Sequence, residues 1–116
     1  MSKRDVSLLL EDMQEAVLKI KKYTAGLDFE SFMSDEKTVD AVIRNFEIIG
    51  EAANRIDPNF RAAHSEIQWK RIRGFRNRIV HNYFGIDYQI VWSIIEDDLD
   101  ELSTHVNNLI RSGKGD

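Results

Sequence analysis

Val39-Asp40-Ala41-Val42-Ile43-Arg44-Asn45-Phe46-Glu47-Ile48-Ile49-Gly50-Glu51-Ala52-Ala53-Asn54-Arg55-Ile56 decides the fold. In this stretch Val39, Val42, Phe46, Ile49, Ala53 and Ile56 recur at alternate steps of three and four. On an α-helix that spacing puts all six on one face. The spacing predicts a helix whose apolar stripe other helices must cover. Ser34 and Asp35 precede it with side-chain oxygens able to cap its first amides. Asp57-Pro58 ends it, since proline disfavours helical backbone at the residue before it and has no N–H to continue the ladder.

The same reading extends in both directions. Upstream, Leu9, Met13, Ala16, Ile20 and Tyr23 keep helical spacing among Glu11, Asp12, Glu15, Lys19 and Lys22, which predicts an amphipathic helix over about residues 4–25. Downstream, a short connector at 59–66 with helical character leads to a third stripe of Trp69, Ile72, Ile79 and Tyr83, ending near Gly85. Asp87 can cap a fourth helix carrying Tyr88, Val91, Ile95, Leu99, Leu102, Val106 and Leu109. Residues 112–116, Ser-Gly-Lys-Gly-Asp, read as a flexible tail. No stretch alternates convincingly with the period of a strand. The expected architecture is therefore all-α: an antiparallel up-and-down bundle of four main helices plus a short connecting helix, in a single domain over residues 1–111.

Composition narrows the class. With 116 residues, 42% hydrophobic and 31% charged, the chain has the make-up of one globular domain rather than a disordered acidic segment or a membrane protein. The absence of cysteine excludes disulfides, thiolate nucleophiles and zinc–thiolate sites. Lys3 and Arg4 precede Leu8-Leu9-Leu10, but Glu11 and Asp12 interrupt any signal-peptide core, and a cytoplasmic location is expected.

The net charge of −4 conceals a segregation. Residues 1–60 hold eight Lys/Arg against twelve Asp/Glu, and residues 82–116 hold two against seven. Residues 61–81 hold six basic groups against Glu66 alone. A short basic segment in an acidic chain is a candidate anion site. The alternative is that it pairs with the acidic run Glu96, Asp97, Asp98, Asp100 and Glu101.

Within that segment Arg76 occupies a core-like slot of the third stripe, between Ile72 and Ile79. A guanidinium there must be paired or face a cleft or an interface, because burying it uncompensated costs several kcal/mol or more. His81 lies about 140° around an ideal helix from Arg76 but shares a face with Asn77 and Arg73. Arg76, Asn77, His81 and Tyr83 thus bring a fixed cation, an amide, an imidazole and a phenol within two turns. Such a set suits attack on a phosphodiester: the imidazole moves a proton near neutral pH and the arginine holds the anionic phosphorane. RNA supplies its own nucleophile, the 2′-hydroxyl, so this chemistry requires no metal. An ion-pair or helix-capping arrangement is the alternative for the same residues. His64, His81 and His105 show no metal-ligand spacing.

Arg76-Asn77-Arg78-Ile79-Val80-His81-Asn82-Tyr83 resembles the R-x4-H-x-Y motif of the HEPN superfamily, specifically the HepT-like toxins of HepT/MNT toxin–antitoxin pairs. Phe46-Glu47-Ile48-Ile49-Gly50-Glu51-Ala52-Ala53 is similar to the family's second-helix signature, and Tyr83-Phe84-Gly85-Ile86-Asp87 with Val91-Trp92 to its turn into the last helix. The resemblance implies a metal-independent endoribonuclease with no cofactor. It would act as a homodimer, with the motif helices of two subunits lining one cleft, and be neutralised by a cognate MNT-type nucleotidyltransferase antitoxin. By motif position, Arg76 would stabilise the phosphate and His81 would be the general acid/base, with Asn77 assisting. Tyr83 would be the residue modified with AMP in some members. Lys70, Arg71, Arg73 and Arg78 then become expected RNA-phosphate contacts. A competing reading keeps the dimer but makes it a non-catalytic module that binds the nucleotidyltransferase or a nucleotide.

Overall fold

The computed structural model describes residues 5–75 and 85–114, with the side chains of the latter part described to residue 112. Among them the chain forms seven helices and no strand: α1 (Val6–Thr24), α2 (Phe29–Ser34), α3 (Glu36–Arg55), α4 (Pro58–Ala63), α5 (Trp69–Arg73), α6 (Tyr88–Asp97) and α7 (Leu99–Lys114). The all-α, HEPN-like class expected from the sequence is the class observed.

Aspartates open five of these helices. Asp5, Asp28, Asp35, Asp57 and Asp87 each accept a hydrogen bond from an amide two or three residues on, satisfying donors that the first turn leaves without partners. Asp35 and Asp87 stand where the sequence places them. Pro58 sits in the first turn of α4, where its missing N–H costs no intrahelical bond.

α1 packs on α3 along one side and on α7 along another. Gln14 donates to Ser103 Oγ at 3.2 Å and Lys21 pairs with Asp100 at 2.6 Å, so α7 runs antiparallel to α1. Phe46 meets Phe75, and Gly50 lies beneath the Ile72 carbonyl, so α5 and the residue pair after it run antiparallel to α3. All six stripe residues of α3 are buried, as are Leu9, Met13, Ala16 and Ile20 of α1. Phe32 of α2 closes one end of the core against Trp92, their ring centroids 5.1 Å apart.

Several details depart from the sequence reading. Tyr23 is exposed, and the stripe of α1 ends instead on Thr24, whose hydroxyl donates back to the Ile20 carbonyl at 2.8 Å. A step of four from Ile20 follows the helix face more closely at this end than a step of three. Residues 29–34 form α2, a helix not foreseen between the first two, capped by Asp28.

The expected single fourth helix is two, broken at Asp98. Ile94, not Ile95, is fully buried, and Ile94 and Leu99 would stand about 140° apart on one continuous helix. The break rephases the chain so that Val91 and Ile94 of α6 and Leu99, Leu102, Val106 and Leu109 of α7 all reach the core. α7 also continues to Lys114, three residues into the expected tail, since one helical glycine costs only about 1 kcal/mol. Among the described residues no helix is long and apolar enough to cross a membrane.

Candidate functional site

Arg76, Asn77, Arg78, His81 and Tyr83 lie outside the described residues, as do Ile79 and the end of the third stripe. The structure describes what delivers the chain to position 76 and what receives it after position 84.

Delivery is rigid. The Trp69 indole N–H donates to the His64 carbonyl at 2.9 Å, which fixes the start of α5 with a ring only 7% exposed. Ile72 and Phe75 are buried against α3, with Phe75 edge-on to Phe46. A Cβ at Gly50 would stand 3.5 Å from the Ile72 carbonyl oxygen, so α3 and α5 approach closely there. On the far side Gly85 takes φ of 85°, a left-handed conformation that side chains rarely adopt, and Asp87 then starts α6 by accepting from the Ile90 amide.

The basic residues of α5 separate into two groups. Arg71 turns toward the Asp98 break, placing Nε at 3.1 Å and Nη2 at 2.9 Å from Asp98 Oδ2. Here the alternative of pairing with the acidic run is realised at one position. Lys70 and Arg73, three residues apart, are both exposed. Arg73 donates from Nε and Nη2 to Asn54 Oδ1 at 3.1 and 2.9 Å.

Arg61, which the sequence reading did not single out, reaches the same place from α4. Its Nη1 donates to the carbonyls of Ala53 and Asn54 at 3.0 and 3.5 Å. Burial, and then the neighbouring Arg73 charge, lower its pKa against the smaller opposing effect of Asp57. Its only sequence signal was its position as the first basic residue after the Asp57-Pro58 stop.

The acidic groups are dispersed. Asp100 engages Lys21, Glu51 engages Arg55 at 2.8 Å, and Glu101 stands 3.4 Å from His105 Nε2. His64 stacks on Phe60 with centroids 4.2 Å apart. Among the described residues no group of three or more His, Asp or Glu is placed to hold a metal ion. A small solvent-open cleft of about 50 Å³ between the 66–68 loop, α5 and α7 has Phe75, one residue before the motif, in its lining. Glu66, Gln68, Arg71, Asp98, Glu101 and His105 supply its polar lining.

Residues 13–109 match the family described as Ribonuclease HepT-like. This chain belongs to the HepT-like family. A "Putative RNase" of Methanocaldococcus jannaschii is 39% identical over 106 residues, covering 91% of this chain and 97% of that protein. A "Probable ribonuclease HepT" of Thermococcus cleftensis is 40% identical over 100 residues, covering 86% and 91%. A "Putative RNase" of Caldanaerobacter subterraneus subsp. tengcongensis is 34% identical over 106 residues, with 91% of each chain covered. No solved structure matches the chain. The HepT-like match runs from within α1 through most of α7, so the anchored α5 and the cap at Asp87 both lie inside it.

Proposed function

We propose that this chain is a metal-independent endoribonuclease and the toxin of a HepT/MNT-type toxin–antitoxin pair. The observation that carries the reading is HepT-like membership over residues 13–109 in a chain that holds Arg76, His81 and Tyr83 at the R-x4-H-x-Y positions. Relatives whose names describe ribonucleases support it.

His81 takes the proton of the RNA 2′-hydroxyl as the 2′-oxygen attacks the adjacent phosphorus, and a proton is returned to the departing 5′-oxygen. The products are a 2′,3′-cyclic phosphate and a 5′-hydroxyl. Arg76 neutralises the phosphorane and Asn77 orients it. Lys70, Arg71, Arg73 and Arg78 contact flanking phosphates. Arg76 in a core-like slot is accounted for by a homodimer in which two motif helices share one cleft. A nucleotidyltransferase antitoxin would silence the enzyme by attaching AMP to Tyr83, putting negative charge where the RNA phosphate must sit. The reaction belongs in the cytoplasm, where RNA is found.

The test is cleavage of end-labelled tRNA and mRNA by the unmodified protein in EDTA, beside His81→Ala. Removing the acid/base group lowers the rate by about 10²- to 10⁴-fold with helical content intact. Absence of cleavage by the unmodified dimer would turn the assignment to the binding module.

A further inference from the structure

The end of α3 carries a feature that the motif does not use. Arg61 from α4 and Arg73 from α5 both bond to its last turn, the first through the Ala53 and Asn54 carbonyls and the second through the Asn54 side chain. Every one of these acceptors is a neutral oxygen. Neither guanidinium forms an ion pair with a carboxylate among the described residues, in contrast to Arg71, which has Asp98, and Arg55, which has Glu51.

Two like charges brought together in this way repel. At Arg61, burial and then the repulsion from Arg73 disfavour the charged form, against a smaller opposing effect of Asp57. The negative end of the α3 dipole offsets part of it. A bound anion would offset the rest. Arg61, Lys70 and Arg71 line a hollow open to solvent beside Ser65 and Gln68. Guanidinium groups suit phosphate oxygens, since their planar donors can engage two at once. Arg73 stands three residues before Arg76, so an anion held here adjoins the motif segment in sequence.

We propose that Arg61 and Arg73, held by the oxygens of Ala53 and Asn54 at the end of α3, form a clamp for neighbouring phosphates of a single RNA strand. The clamp rests on the ribonuclease reading and extends it, adding Arg61 as a contact and Asn54 as the positioning residue. It contributes to binding rather than to bond breaking.

The experiment measures binding of a 2′-O-methyl single-stranded oligonucleotide to the full chain as a function of salt. This strand lacks the nucleophile and stays intact. Each neutralised phosphate contributes about 0.7 to the slope of log K against log salt. Arg61→Gln is expected to lower the slope by about 0.7, as Arg73→Gln does, and the two together by about 1.4. Lys37→Gln removes the same charge about 25 Å away at the other end of α3 and leaves the slope unchanged. Neither Arg61 nor Arg73 belongs to the buried core, so the Arg61 single variant decides even where the double variant is less stable.

A native slope in Arg61→Gln overturns the clamp, and so does an equal fall in Lys37→Gln, which would mean that only net charge is being read. Native protein that does not bind the strand overturns it as well. Cleavage of ordinary RNA by native protein and by His81→Ala is read separately. Cleavage lost only in His81→Ala, with an unchanged Arg61→Gln slope, removes the clamp and leaves the ribonuclease standing.

Discussion

Phe75 sets its ring edge-on against Phe46, with centroids 5.4 Å apart and planes at 89°. Both rings are buried to within 1% of full exclusion, and Phe75 immediately precedes Arg76. The pair therefore ties the start of the motif to the middle of α3. Phe75→Ala is expected to cost about 3–5 kcal/mol in chemical denaturation, from lost transfer energy and the cavity left behind. The milder Phe75→Leu should stay folded yet cleave RNA on the order of 10-fold or more slowly, because small displacements of catalytic groups cost rate steeply. Full activity in a folded Phe75→Leu protein would mean that the motif is positioned from elsewhere.

Gly50 offers a test of the α3–α5 approach. A methyl group there meets the Ile72 carbonyl oxygen at 3.5 Å, an ordinary contact, and replaces a mid-helix glycine. Gly50→Ala should raise stability by up to about 1 kcal/mol. Gly50→Leu has no such room and should loosen α5, seen as faster amide exchange over residues 69–73. Equal stability of the alanine and leucine variants would contradict the close approach.

The Arg71–Asp98 pair links α5 to the break between α6 and α7, with side chains 45% and 23% exposed. At that exposure a double-mutant cycle with Arg71→Gln and Asp98→Asn should give a coupling of about 0.2–1 kcal/mol, reduced in high salt. The cycle is needed because Asp98 makes a further interaction, which a single substitution would also remove. Zero coupling at low salt would show the pair to be energetically idle.

Acid should weaken the α2 and α3 caps. The Ser31 amide lowers the Asp28 pKa below its ordinary 3.8, and Thr38, first through its hydroxyl and then through its amide, lowers that of Asp35. A depressed folded-state pKa gives stabilisation that is present above the unfolded value and lost as pH falls through 3.8 toward the folded value. Asparagine caps about as well as aspartate but does not titrate here. Thermal melts between pH 6 and 2 should therefore fall less steeply for Asp28→Asn/Asp35→Asn than for the native chain. Parallel curves would count against these caps as a source of acid sensitivity.

The stripe from Val39 to Ile56 was readable because a long helix with one covered face leaves a periodic record, and all six of its positions are buried. The caps at Asp35 and Asp87 were readable for a similarly local reason. α2 was not: six residues give too few periods to register, and its burial rests on Phe32 meeting Trp92 some sixty residues away. Family membership was legible in residues 46–53 and 76–87, and the match over residues 13–109 agrees. Charge alone grouped Lys70, Arg71 and Arg73, and could not say which of them already had a partner.

The amino-acid sequence by itself determined the helical class, the principal stripe, the caps at Asp35 and Asp87 and the family, because each is written in spacings of a few residues. Tertiary structure alone decided that the last helix breaks at Asp98, that Arg71 is paired there, and that Arg61 and Arg73 meet over Asn54. These outcomes depend on which helix faces which. Two residues nineteen positions apart become neighbours only when the core between them has closed, and no local pattern carries that distance.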